Sequence, residues 1–239
     1  LRTAAAIQTA MLPTNFDAIG ARYGVGLNAM LRPATEVGGD LYDAIAIDDD
    51  RLCVVVGDVS GKGVSSALLM AITQTAIRAA AETAKTPGEI LAKANALIAR
   101  DNSEAMFVTA FLAIYDARDR LLRYANAGHN PPLFRSAAGT WRMMTPEVNL
   151  ALGVLPEFPF VEGVVGAPPG SAMLLYTDGV TEAQNTSGAL LGDDRLVSAL
   201  AALERSDPLP AVLAAVDAFA GEAEQYDDIT LMSLTFQGG

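Results

Sequence analysis

Two residue types that commonly build metal or nucleophile sites are almost missing: the 239 residues hold one cysteine, Cys53, and one histidine, His129. A lone cysteine excludes a disulfide framework and suits a reducing compartment. Cys53 lies within the apolar run Leu52-Cys53-Val54-Val55-Val56 and reads as a core residue. So few thiol and imidazole groups, far apart in sequence, also argue against zinc. Positive charge is scarce as well. Sixteen Lys and Arg against 28 Asp and Glu leave a net charge of −12. That balance argues against the basic patch that nucleic acid or an anionic membrane requires. No uninterrupted apolar run reaches the ~20 residues of a bilayer-crossing helix, and Leu1-Arg2-Thr3 does not resemble an export signal. The expectation is a cytoplasmic protein with no nucleic-acid or membrane contact. A start at leucine rather than methionine is read as excision from a longer protein carrying a sensor or receiver domain upstream.

What is present is a large apolar fraction, 51%, enough for one sizeable domain. Alanine-rich Leu1 to Leu12 has helical spacing and is stopped by Pro13. Strands are expected at Tyr23 to Leu31, Leu41 to Ile47 and Leu52 to Val56, the last two joined through Asp48-Asp49-Asp50. Helices follow at Ser65 to Ala84 and, capped by Thr86-Pro87-Gly88-Glu89, at Ile90 to Arg100. Phe107 to Tyr115, Leu121 to Ala125, Pro132 to Arg135 and Trp141 to Met144 read as an antiparallel meander. Phe158 to Val165 and Ala172 to Tyr176 add strands, Leu196 to Leu203 and Ala211 to Ala220 helices, and Ile229 to Phe236 a last strand. Strand blocks alternating with helical pairs point to two packed sheets with helices outside.

Acidic residues recur at the ends of these strands. Asp40 follows Gly38-Gly39, Asp58 follows the Leu52 run and precedes Val59-Ser60-Gly61, Asp178 follows Met173 to Tyr176 and precedes Gly179, and Asp227-Asp228 enters the last strand. Oxygen ligands on rigid elements, beside glycines that leave room for water, suit a hard divalent cation such as magnesium or manganese.

In order along the chain, Gly38-Gly39-Asp40-Leu41-Tyr42-Asp43, Gly57-Asp58-Val59-Ser60-Gly61-Lys62-Gly63, Asn126-Ala127-Gly128-His129-Asn130-Pro131-Pro132, Tyr176-Thr177-Asp178-Gly179-Val180-Thr181-Glu182 and Asp227-Asp228-Ile229-Thr230-Leu231 resemble the motifs of protein phosphatase 2C-type enzymes, in particular the bacterial SpoIIE and RsbU-like branch. The resemblance implies an α+β fold, a four-layer α-β-β-α sandwich of two antiparallel sheets flanked by helices, with two Mn2+ or Mg2+ ions at one edge. It implies that Asp58 bridges both ions, that Val59 offers its carbonyl, and that Asp40, Asp178 and Asp227 complete the ligands, with Asp228 as the alternative to Asp227. The implied chemistry is hydrolysis of phosphoserine or phosphothreonine by a metal-activated water. The implied partner is a phosphorylated anti-sigma-factor antagonist of STAS type. Residues 1–20 are then a linker or regulatory helix, with a possible role in a homodimer, and residues 21–239 the phosphatase domain. A catalytically inactive phosphoprotein-binding scaffold of the same fold is the alternative.

Several residues keep two readings. Gly57 to Gly63 is not a P-loop, because three residues rather than four separate Gly57 from Gly61-Lys62. Lys62 either assists substrate phosphate or is a solvated turn residue. His129 either protonates the leaving oxygen and contacts substrate or stabilises its loop. Asn130 either contacts substrate or caps the turn. The early phosphate-binding arginine of eukaryotic relatives has no clear counterpart; Arg32 is the nearest basic residue.

Overall fold

The computed structural model describes residues 2–100, 102–147, 149–203 and 206–237, so Leu1 of the expected first helix and Gly239 at the expected domain end lie outside the described residues. The chain forms two five-stranded sheets, with every strand pair antiparallel. The first sheet has the order β1 (Val25–Arg32), β10 (Ile229–Phe236), β9 (Ala172–Tyr176), β6 (Leu133–Arg135), β7 (Trp141–Met143). The second runs β2 (Leu41–Ala46), β3 (Arg51–Val59), β4 (Val108–Asp116), β5 (Leu121–Ala127), β8 (Glu162–Gly166). Helices α3 (Val64–Ala81) and α4 (Pro87–Arg100) cover the second sheet, and α6 (Gly192–Leu200) and α7 (Leu209–Ala220) cover the first.

Strand β3 shows why the apolar runs are unbroken. Cys53 and Val55 pack towards α3 and α4, while Leu52, Val54 and Val56 pack between the sheets. A strand buried on both faces has no polar face to alternate with. Strand β9 repeats the pattern, with Met173 and Leu175 between the sheets and Leu174 and Tyr176 under α6 and α7. Each such fully buried side chain contributes roughly 1.5–3 kcal/mol. Among the described residues α3 alone is long and apolar enough to cross a membrane, but its inner face, including Met70 and Ile77, is buried against the second sheet.

Some expectations need correction. The expected meander is split between sheets: β4 and β5 pair in the second, β6 and β7 in the first. The crossing falls at Gly128 to Pro132, where Gly128 has φ +66 and the two prolines cannot donate to a ladder. Turn residues mark where a strand ends, not which sheet the next one joins. The strand expected from Phe158 starts only at Glu162; Phe158 and Phe160 instead form an edge-on aromatic pair. Tyr23 belongs to a short helix, α2 (Phe16–Tyr23), closed by Gly24 in the left-handed region. Asn15 stands at its N-cap position and Asp17 in its first turn, the residue types that open helices, although Asn15 makes no side-chain capping bond there. The N-terminal helix itself, α1, spans Arg2–Met11.

Candidate metal centre

The register of the two sheets brings the acids to one end of the sandwich. In the second sheet Leu41 pairs with Gly57, which sets Asp40 beside the Asp58 end of β3. Gly39 has to be glycine: a Cβ there would stand 2.9 Å from the Val59 carbonyl and 3.4 Å from Asp58 Oδ1. In the first sheet Leu231 pairs with Tyr176, and the contact continues as the Thr177 amide donates to the Thr230 carbonyl at 3.1 Å. Asp178 opens the one-turn helix α5 (Asp178–Thr181) immediately after β9, and Asp227 and Asp228 enter β10.

Two threonines that the sequence did not single out hold Asp40. Thr177 Oγ1 and Thr230 Oγ1 donate to its Oδ2 at 2.7 and 2.6 Å. Asp40 comes from the second sheet and both threonines from the first. The adjacent acids Asp227 and Asp228 divide their work. Asp228 is buried, and its carboxylate accepts from the amides of Ala34 (2.8 Å) and Gly39 (2.9 Å), bracing the turn that carries Asp40. Asp227 is half-buried and faces Lys62, whose Nζ lies 3.0 Å from its Oδ2, 2.7 Å from the Tyr226 carbonyl and 3.8 Å from the Tyr226 ring. Lys62 is therefore seated on an acid of the cluster rather than extended into solvent.

The electrostatics follow from this crowding. Burial pushes the Asp58 carboxyl up to about 7, with the charges of Asp178 and Asp227 adding to the effect. Asp40 is raised well above the ordinary carboxylate range by burial and then by Asp58. Asp178 is raised by burial and by Glu182 and Asp227. Carboxylates that disfavour their own ionisation are what a divalent cation relieves. Among the described residues no three Asp, Glu, His or Cys side chains close into a cage. The side-chain donors gathered at this edge are carboxylate oxygens, the chemistry that suits a hard divalent cation.

His129 and Asn130 stand elsewhere. The His129 ring is buried, with Nδ1 2.9 Å from Thr109 Oγ1 and Nε2 3.0 Å from the Tyr176 carbonyl. Burial lowers its pKa to about 4 against the opposing effect of that carbonyl. Neutral and engaged at both nitrogens, it has no free edge to offer a substrate or a leaving group. Asn130 is half-buried beside it. Asn126, to which the motif assigns no role, closes this turn by accepting from the His129 amide (2.8 Å) and donating to its carbonyl (2.9 Å); an Asn three residues ahead of its backbone partner, with Gly128 between, is the local signal for such a turn. Arg32 NH1 is paired to Asp217 at 2.7 Å.

A further contact reaches the site from α1. The Gln8 amide donates to the Gly38 carbonyl at 2.6 Å and accepts from the Gly38 amide at 3.1 Å. The Met11 carbonyl accepts from Gln74 and Arg78 of α3, both at 3.2 Å, and Arg78 in turn is paired with buried Asp43.

The family model described as Stage II sporulation protein E (SpoIIE) matches residues 48–237. Protein IcfG of Synechocystis is 28% identical over 87% of this chain and 37% of its own length. Phosphoserine phosphatase RsbU of Bacillus subtilis is 27% identical over 80% of this chain and 56% of its own. The chain thus spans between about a third and a little over half of these curated relatives. Among solved structures, the SiaA-PP2C domain of Pseudomonas aeruginosa superposes with a TM-score of 0.86 at 28% identity, covering 99% of this chain and 95% of that one.

Proposed function

The chain belongs to the SpoIIE family, and from that premise we propose that it is a metal-dependent protein phosphatase acting on phosphoserine or phosphothreonine of a regulatory partner protein. The observation that carries the proposal is the convergence, from both sheets, of Asp40, Asp58, Asp178 and Asp227 on one edge where burial and mutual repulsion raise Asp40, Asp58 and Asp178. Asp40, Asp58, Asp178, Asp227 and the Val59 carbonyl would hold two manganese or magnesium ions, Asp40 being held beside Asp58 by its threonines. When bound, the ions supply Lewis acidity for activating water and neutralising the phosphoryl group. The protein's own part is placement. Gly39 gives the Val59 carbonyl room, Asp228 holds the Gly38-Gly39 turn, and Lys62 tempers the charge of Asp227.

The names of two relatives, phosphoserine phosphatases RsbU and RsbP, support phosphoserine as the group hydrolysed, and we propose as its carrier the phosphorylated anti-sigma-factor antagonist of STAS type that the motif resemblance implies. We further assign residues 1–20 as a regulatory linker and residues 21–239 as the phosphatase domain of a cytoplasmic protein. The clamp of Gln8 on Gly38 gives α1 a direct hold on the turn that carries Asp40, and α1 is also the candidate dimer element. Hydrolysis of p-nitrophenyl phosphate tests the reading. Activity should require manganese or magnesium, stop with a chelator, and disappear in Asp58→Ala and Asp178→Ala. An intact chain that binds manganese but remains inert would instead be a phosphoprotein-binding scaffold.

A further inference from the structure

The phosphatase reading gives the buried His129 ring no chemical task, yet its surroundings are fully built. The register of β3 and β4 sets Thr109 directly beside Asp58 in the second sheet. The Thr109 hydroxyl is 2.9 Å from His129 Nδ1. The other ring nitrogen lies 3.0 Å from the carbonyl of Tyr176, the last residue of β9 in the first sheet and two residues ahead of Asp178. A carbonyl only accepts, so Nε2 carries the ring hydrogen and Nδ1 accepts from the threonine. A hydroxyl has one proton, and the Asp58 carbonyl, at 3.4 Å from the same Oγ1, competes poorly for it. The ring is itself anchored from behind: Asn126 holds the His129 backbone at both amide and carbonyl, and Asn149 donates to the Asn126 carbonyl at 3.1 Å.

We propose that His129 is a positioning residue, a strut across the sandwich that fixes the end of β3 carrying Asp58 relative to the end of β9 carrying Asp178. The inference rests on the reading of those aspartates as metal ligands. Through Tyr176 it also steadies Thr177, whose hydroxyl holds Asp40. The strut sets the spacing of ligands that the two sheets contribute separately, and it neither touches substrate nor transfers a proton.

The chain has one histidine, so its ring gives a single set of nitrogen resonances. Long-range proton–nitrogen NMR on the full chain should show hydrogen on Nε2 alone, unchanged from pH 5.5 to 8; hydrogen on Nδ1, or a titration inside that range, would overturn the strut. Manganese binding is then measured by calorimetry on three variants. His129→Asn keeps an acceptor for Thr109 but cannot reach Tyr176, and it should weaken binding by ~10–100-fold, as loss of an outer-shell partner does. His129→Gln, whose amide reaches towards the Tyr176 carbonyl, should recover most of that loss. Thr109→Val leaves the histidine in place and should weaken binding in the same direction; it carries the test if His129→Asn does not fold. Wild-type affinity in a folded His129→Asn, or in Thr109→Val, overturns the proposal. These readouts need no substrate, so a chain that binds manganese normally without hydrolysing phosphate would fail as a phosphatase while the strut still stood.

Discussion

Replacing either member of the Asp227-Asp228 pair with alanine should damage the protein in opposite ways. Asp228 is 6% exposed and accepts from two backbone amides at 2.8 and 2.9 Å. Asp228→Ala leaves both donors unpaired beside Gly38, at a cost of about 1–3 kcal/mol each. The sum, roughly 2–6 kcal/mol, lowers the Tm of a domain this size by about 4–24 °C, with or without manganese. Asp227 has a 35% exposed side chain paired with a lysine whose own side chain is 47% exposed. A pair in that setting contributes about 0–1 kcal/mol. Its charge also raises Asp58 and Asp178, so Asp227→Ala relieves repulsion as it breaks the pair. The metal-free Tm should therefore stay within about 3 °C of wild type, while manganese-induced stabilisation and hydrolysis are lost. Scanning calorimetry with chelator and with saturating manganese reads both effects. An Asp227→Ala protein that melts early yet still responds to manganese, beside an Asp228→Ala protein that melts normally and does not, would refute the division of roles.

Two other outcomes follow from the same site. With metal chelated, Asp58 binds its proton more tightly folded than unfolded, since its pKa rises from 3.8 to about 7. Its contribution to stability is therefore greatest at low pH and is lost as pH rises from about 4 to 7, by roughly 2–4 kcal/mol. Asp40 and Asp178 act in the same direction. Chelated protein should melt higher at pH 5 than at pH 8, Asp58→Asn should flatten that slope, and an unchanged slope in the variant would count against the assignment. Gly179→Ala should be poorly tolerated, because its Cβ would lie 1.9 Å from the Asp228 backbone carbonyl; a soluble, fully active Gly179→Ala would show that the turn between β9 and α5 yields more easily than its packing implies.

Much of the architecture was legible because burial on both faces writes continuous apolar runs, as in Leu52 to Val56, and because glycine and acid punctuate their ends. Asp40, Asp58 and Asp178 stand out as acids beside glycines at strand ends for the same reason. Three things were not legible. The switch of the chain from the second sheet to the first at Gly128 to Pro132 depends on which edge β6 finds, a tertiary choice with no local signal. The roles of Asp227 and Asp228 differ only in where each side chain points from adjacent positions of one strand entry, which period-2 geometry separates but sequence identity does not. Thr109, Thr177 and Thr230 look like ordinary strand threonines until the register brings Asp40 and His129 against them.

Asp40 joins the two sheets through Thr177 and Thr230. The mouth of the sandwich is thus drawn together by folding, and the ordering entropy that assembling a site usually demands has been settled in advance. Loading should then be limited by how fast water leaves the cation, and not by the protein finding its shape.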